Sequence, residues 1–164
     1  MDLTKLKQRF EIMDSLHEAS HAVMALLVGA YVGDVYLGGS SMDGDFGYCR
    51  RSAAPDDLSE VLIKFAGVGG ELIHRNETCW SFLFRSSGRG DWKDAAPYIE
   101  RIGGDRRAVV KQAKAAVTRL LKENWAWVVA VADKLRGQRH LTGEQIWDLV
   151  PYLYVQVGEA YSPR

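Results

Sequence analysis

Ala22, Val23, Leu26 and Leu27 repeat on one helical face, and the stretch from Asp2 to Asp14 ahead of them is rich in charged and long side chains. The pattern predicts a single helix that begins in solvent and ends in the core. It should stop near Gly29, where glycine supplies a left-handed cap. From Tyr31 to Leu37 and from Phe46 to Arg51 β-formers alternate or cluster, and the eight residues between, Gly38 to Asp45, are dense in turn formers. A short β-hairpin is expected there.

Pro55-Asp56-Asp57 opens a second helix through Leu58, Leu62, Phe65, Ala66 and Leu72. Gly67, Gly69 and Gly70 fall in its middle. They follow no predicted strand and lack the Gly-Lys-Ser/Thr of a phosphate loop, so close helix packing is their expected use. Asn76 to Gly90 reads as a mobile, partly buried active-site loop in which Trp80, Phe82, Leu83 and Phe84 must pack. Asp91 precedes a helical segment, Trp92 to Arg101, for which it could serve as N-cap, and Pro97 falls inside that segment. Asp105 starts a long helix through Val109, Ala113, Ala116, Leu120 and Leu121, broken near Asn124 before Trp125 to Leu135, a helical-hairpin signature. Thr142-Gly-Glu-Gln145 matches a capping box and launches a last helix that Pro151 should disturb. Trp125, Trp127, Trp147 and Tyr152 are expected in core or interface. The fold class is therefore mainly α, with a short β-hairpin and a C-terminal helical bundle, and residues 1–164 are expected to form one domain.

Charge narrows the function. Lys plus Arg and Asp plus Glu are 21 each, a balance that argues against a nucleic-acid-coating surface. Arg85 to Arg89 and Arg106-Arg107 are local basic spots, read as solvated loop and helix-start charge. Cys49 and Cys79 stand alone without metal-knuckle spacing, and no signal peptide is recognisable, which predicts a reducing, cytoplasmic setting. The longest apolar run, Ala22 to Gly33, is far shorter than the roughly 20 residues that span a bilayer. No membrane helix is expected.

The first helix carries the chemistry. His17-Glu18-Ala19-Ser20-His21 sets two imidazoles four residues apart, about 40° apart around a helix, so that both can reach one ion. Glu18 lies at the rim of that face, placed to hold a water on the metal rather than to ligate it. Zn²⁺ in a peptidase takes three protein ligands and keeps a fourth position for water. The third ligand must come from further along, because Met24 and Leu27 stand where a metzincin would place a glycine and a third histidine. Asp91, Glu71, His74 and His140 are the candidates.

These elements in this order resemble the peptidase domain of the FtsH family of ATP-dependent zinc proteases, and the likeness covers nearly the whole chain. His17-Glu-Ala-Ser-His21-Ala22-Val23 is similar to that family's HEAGHA motif. Phe46-Gly47-Tyr48 is similar to its Gly-Tyr strand, and Ala66-Gly67-Val68-Gly69-Gly70-Glu71-Leu72 to its GGRAAEE helix. Ser87-Gly88-Arg89-Gly90-Asp91-Trp92-Lys93-Asp94-Ala95-Ala96 resembles GASNDLxxAT, and Leu141-Thr142-Gly143-Glu144 resembles the L-x-G-E-E-I ending. The resemblance implies a zincin-like site with His17, His21 and Asp91 as zinc ligands. Three departures stand out: Ser20 in place of the motif glycine, Gly90 in place of asparagine, and Leu72 in place of the second glutamate. Ser20 is expected to crowd the helix or to add a hydroxyl near the metal.

The implied function is a zinc metalloendopeptidase in which Glu18 is the general base. Glu71 is a candidate partner for a ligand histidine N–H. No ATPase module or membrane helix is recognisable, so the expected substrates are unfolded or extended polypeptides, unless a separate unfoldase assists. Such substrates could add a strand to the hairpin edge at Tyr31 to Leu37 or Phe46 to Arg51. A homo-oligomer is among the expected states. The alternatives are a small metallopeptidase specific for one regulatory protein, and a non-catalytic regulatory or interaction module that retains the FtsH peptidase fold.

Overall fold

A 25-residue helix, α1 (Leu3–Leu27), runs from the surface into the core. Its residues 4–10 are mostly exposed, whereas Ala19 through Leu26 are buried. It ends as expected: Gly29 has φ +88°, with Gly29 N–H donating to Leu26 O and Ala30 N–H to Ala25 O, the paired bonds of a Schellman cap. The computed structural model describes residues 3–38, 47–81 and 88–150. Phe46, most of the predicted turn, Phe82, Leu83, Phe84, Arg85, Pro151 and Tyr152 lie outside the described residues.

Two strands follow, β1 (Val32–Tyr36) and β2 (Tyr48–Arg51), paired antiparallel. Helix α2 (Asp57–Arg75) begins where Asp56 accepts a hydrogen bond from Ser59 N–H, and it ends where Asn76 takes the left-handed conformation. Helix α3 (Gly88–Ile102) begins three residues before Asp91 and continues through Pro97. This corrects the expected N-cap: Asp91 belongs to the first turn of the helix. Helices α4 (Arg106–Glu123) and α5 (Trp125–Gln138) meet at Asn124, and Asp105 caps the first. A two-residue strand, β3 (His140–Leu141), precedes α6 (Gly143–Leu149), whose Thr142–Gln145 capping box is complete.

Among the described residues the molecule is thus six helices and a three-stranded antiparallel sheet in the order β2-β1-β3. The expected hairpin is present but gains a partner. Val35 pairs with Cys49 on one side and Leu141 on the other, so β1 is the central strand. Of the two edges considered for strand addition, only β2 remains. The C-terminal helices likewise do not form a bundle of their own: α4 packs chiefly on α2, and α5 on α1. The cause is visible in their apolar faces. Ala113, Val117 and Leu121 of α4 and Val128, Val131, Ala132 and Leu135 of α5 are all buried in the same core as α1 and α2. Trp125, Trp127 and Trp147 pack at its margin, as expected.

One further bond system ties sheet to helix. Arg51 donates to both carboxylate oxygens of Glu60, at 3.1 and 2.6 Å, and Ala54 N–H donates to Glu60 at 2.8 Å. Glu60 is buried and Arg51 largely so. No helix among the described residues is long and apolar enough to cross a membrane.

Candidate metal centre

Helix α1 presents His17 and His21 one turn apart, their rings edge-on with centroids 4.7 Å apart. Helix α2 fixes both. His21 Nδ1 donates to the carbonyl oxygen of Ile63 at 2.7 Å, and His17 Nδ1 pairs with Glu71 Oε1 at 2.7 Å. A carbonyl oxygen can only accept, so the His21 proton sits on Nδ1 and, in the neutral ring, Nε2 carries a bare lone pair. The Glu71 carboxylate imposes the same tautomer on His17. Glu71 therefore occupies the supporting position expected of it, anchored in turn by Arg75 at 3.6 Å.

The α2 glycines make this approach possible. A Cβ at Gly67 would lie 2.6 Å from His21 Nε2, and one at Gly70 would collide with Ser20 Oγ. Gly69 faces the other way, where a Cβ would meet Val117 Cγ1 at 2.5 Å. All three serve close packing, two of them toward α1. The Ser20 hydroxyl donates to Leu16 O at 2.6 Å. It is spent on its own helix and adds nothing to the metal centre, contrary to one of the two expectations for it.

Asp91 completes the cluster from the first turn of α3. Its Oδ2 lies 3.1 Å from His17 Nε2 and 3.4 Å from His21 Nε2, and the two Nε2 atoms are 3.0 Å apart. That oxygen is buried and has no hydrogen-bond partner. Three atoms of metal-ligand type thus converge on one point, where a cation would satisfy all of them. Tetrahedral Zn²⁺, with bonds of about 2.0–2.1 Å, sets its ligand atoms about 3.3 Å apart. The residues present fit the ion, and His17, His21 and Asp91 are a group among the described residues that could hold one.

The local electrostatics express the same demand. For His17, burial opposes the charged ring, yet the neighbouring Asp91 and Glu71 carboxylates outweigh it and raise the pKa well above the ordinary value. Burial would likewise raise the Asp91 carboxyl, but His21 and His17 outweigh it and hold the pKa well below the usual range. Glu18 is different: burial raises it, and the two histidines only partly offset that. It lies against the start of β2, where a Cβ at Gly47 would come 2.8 Å from Glu18 Oε1. Only glycine allows that approach.

The other two candidate ligands are elsewhere. His140 pairs with Asp34 at 3.0 Å and stacks on Tyr36, while His74 lines a surface cleft with Lys5, Gln8 and Arg9. Sequence reasoning missed Asp14, whose carboxyl is raised by burial and feels the charges of His17 and Glu71. Its position three residues before His17, on the same helical face, was the available signal. Cys49 also lies near Glu18, and burial, with the Glu18 charge adding, pushes its thiol up to about 12, which keeps it protonated. Comparison with protein-family models finds no match to this chain, and comparison with curated proteins finds none.

Proposed function

We propose that the protein is a zinc-dependent endopeptidase of FtsH-peptidase type acting on unfolded or extended polypeptides. One observation carries the reading: His17 Nε2, His21 Nε2 and Asp91 Oδ2 converge within 3.4 Å of one another, while both Nδ1 atoms are committed to α2. When bound, Zn²⁺ supplies Lewis acidity, acidifying a coordinated water and polarising a carbonyl.

The chain's own groups do the rest. Glu71 and the Ile63 carbonyl hold the imidazole rings in the ligating tautomer. Glu18, whose pKa burial raises, takes a proton from the attacking water and returns it to the leaving amine nitrogen. An extended substrate adding to the exposed edge of β2 would run beside Gly47 and hence beside the Glu18 carboxylate.

Metal analysis of the purified protein, paired with cleavage of an unfolded substrate such as casein, tests the proposal. About one zinc per chain and chelator-sensitive cleavage are expected. Zinc without cleavage of casein or any unstructured peptide would leave a metal-bearing interaction module.

A further inference from the structure

The ground between α3 and α4 carries more positive charge than the fold uses. Trp92, Arg106, Arg107, Val110, Lys111 and Lys114 line a cleft of about 430 Å³ there, within the size range of ligand sites, about 300–1,000 Å³. Its walls are the Trp92 ring, the Val110 side chain and the methylene stems of four cationic residues. Arg106, Arg107 and Lys111 are solvent-exposed. Arg106 sits over Trp92 at 5.2 Å, and Lys114 over Trp80 at 5.7 Å. Arg107 and Lys111 have no carboxylate partner among the described residues.

For α4 itself this placement is unfavourable. Its first turn holds Arg106 and Arg107 and no acidic residue, at the end where the helix dipole repels cations. Four cations around apolar walls complement a ligand with an apolar body and negative charge. The cleft shares helix α3 with Asp91 through Trp92. Trp92 directly follows Asp91, and its ring lies 6.0 Å from that of Phe65, two residues before Gly67.

We propose that this cleft is a second polypeptide-binding site, which takes an acidic residue beside a large apolar side chain in an extended chain. As a substrate site it rests on the peptidase reading above. It would bias which segments the enzyme holds, favouring acidic-apolar sequences.

The test uses Glu18→Gln protein, so that no turnover is needed, and calorimetric titration with an end-blocked peptide alternating Asp or Glu with Phe. Its counterpart carries Asn and Gln instead. The acidic peptide should bind about tenfold more tightly than the amide peptide. Added Arg107→Glu and Lys111→Glu should remove that preference, with Arg107→Gln and Lys111→Gln as the milder pair should folding suffer. Arg119→Glu, on the same helix but outside the cleft, should retain it. Equal binding of the two peptides, or an unchanged preference in the charge-reversed protein, overturns the proposal. Tighter binding of decanoate or of a thymidine oligonucleotide, lost in the same variant, overturns it in favour of a fatty-acid or nucleic-acid site. If acidic peptide binds as expected while wild-type protein cleaves nothing, the hydrolytic reading fails and the binding site stands. Cleavage without acidic preference has the opposite meaning.

Discussion

Gly67 and His21 are in mutual contact across the α1–α2 interface, so closely that a Cβ on residue 67 would come 2.6 Å from His21 Nε2. One methyl group would therefore occupy the space into which the lone pairs of both histidines point.

Gly67→Ala should abolish zinc retention while costing about 1–3 kcal/mol of stability, the usual range for overpacking. Gly90→Ala is the control, since nothing lies within 4 Å of a Cβ there. It should keep zinc and gain about 0.5–1 kcal/mol from reduced chain entropy within α3. Metal content by mass spectrometry and thermal melts read both. A Gly67→Ala protein with full zinc would mean that the ligands are not these histidines.

Asp91→Ala should lose zinc as completely as His17→Ala or His21→Ala, whereas His74→Ala and His140→Ala should keep it. Glu71→Gln, which weakens the anchor on His17 Nδ1, should lower zinc affinity by about 10–100-fold. Competition with a chromogenic chelator measures all six. Full affinity in Asp91→Ala would exclude it from the ligand set.

Glu18→Gln should keep zinc and lose cleavage of casein by about 10²-fold or more, because the amide preserves shape but cannot accept a proton. Undiminished cleavage would assign the base to another residue or the activity to a contaminant.

The Arg51–Glu60 pair makes the fold acid-sensitive in a defined window. Burial alone would raise the Glu60 carboxyl, but the Arg51 guanidinium and the Ala54 N–H outweigh it and lower the pKa. The folded state thus binds this proton less readily than the unfolded chain does. The stabilisation is fully present above the ordinary glutamate value, about 4.3, and is lost as pH falls through the lowered folded value. Near neutral pH, Glu60→Gln should cost about 1–2 kcal/mol, since it leaves a partly buried guanidinium without its opposite charge. The gap in melting temperature between the two proteins should close as the pH drops below about 4. A constant gap would mean that the carboxylate's charge plays no part.

Local chemistry was legible in the sequence where it acts within one turn of helix. The Asp56, Asp105 and Thr142 caps, the Gly29 stop and the Asn124 break all form where their side chains dictate. The spacing of His17 and His21 foretold their shared face, and the candidates for a third ligand included Asp91. What the pattern could not carry was partnership across long separations. His140-Leu141 is too short to show any period, so its place beside β1 was invisible. Nothing in the sequence joins Arg51 to Glu60, nine residues on across the turn from strand to helix. Gly88-Arg89-Gly90 has the composition of a loop, yet it forms the opening turn of α3, where packing of Trp92, Ala95 and Ile99 onto the core overrides propensity.

The late arrival of β3 bears on how the protein is made. His140 meets Asp34 across 106 residues of sequence, so β1 has one partner, β2, throughout most of synthesis. During that interval its other side is an adhesive ribbon of unpaired amides, open to a neighbouring nascent chain. Loop-closure entropy grows only slowly with length and leaves the finished pairing intact, but long-range pairing of this kind slows folding. Crowded expression should therefore favour strand-exchanged or aggregated product, and slower translation or lower temperature should favour the pairing of β1 with its own β3.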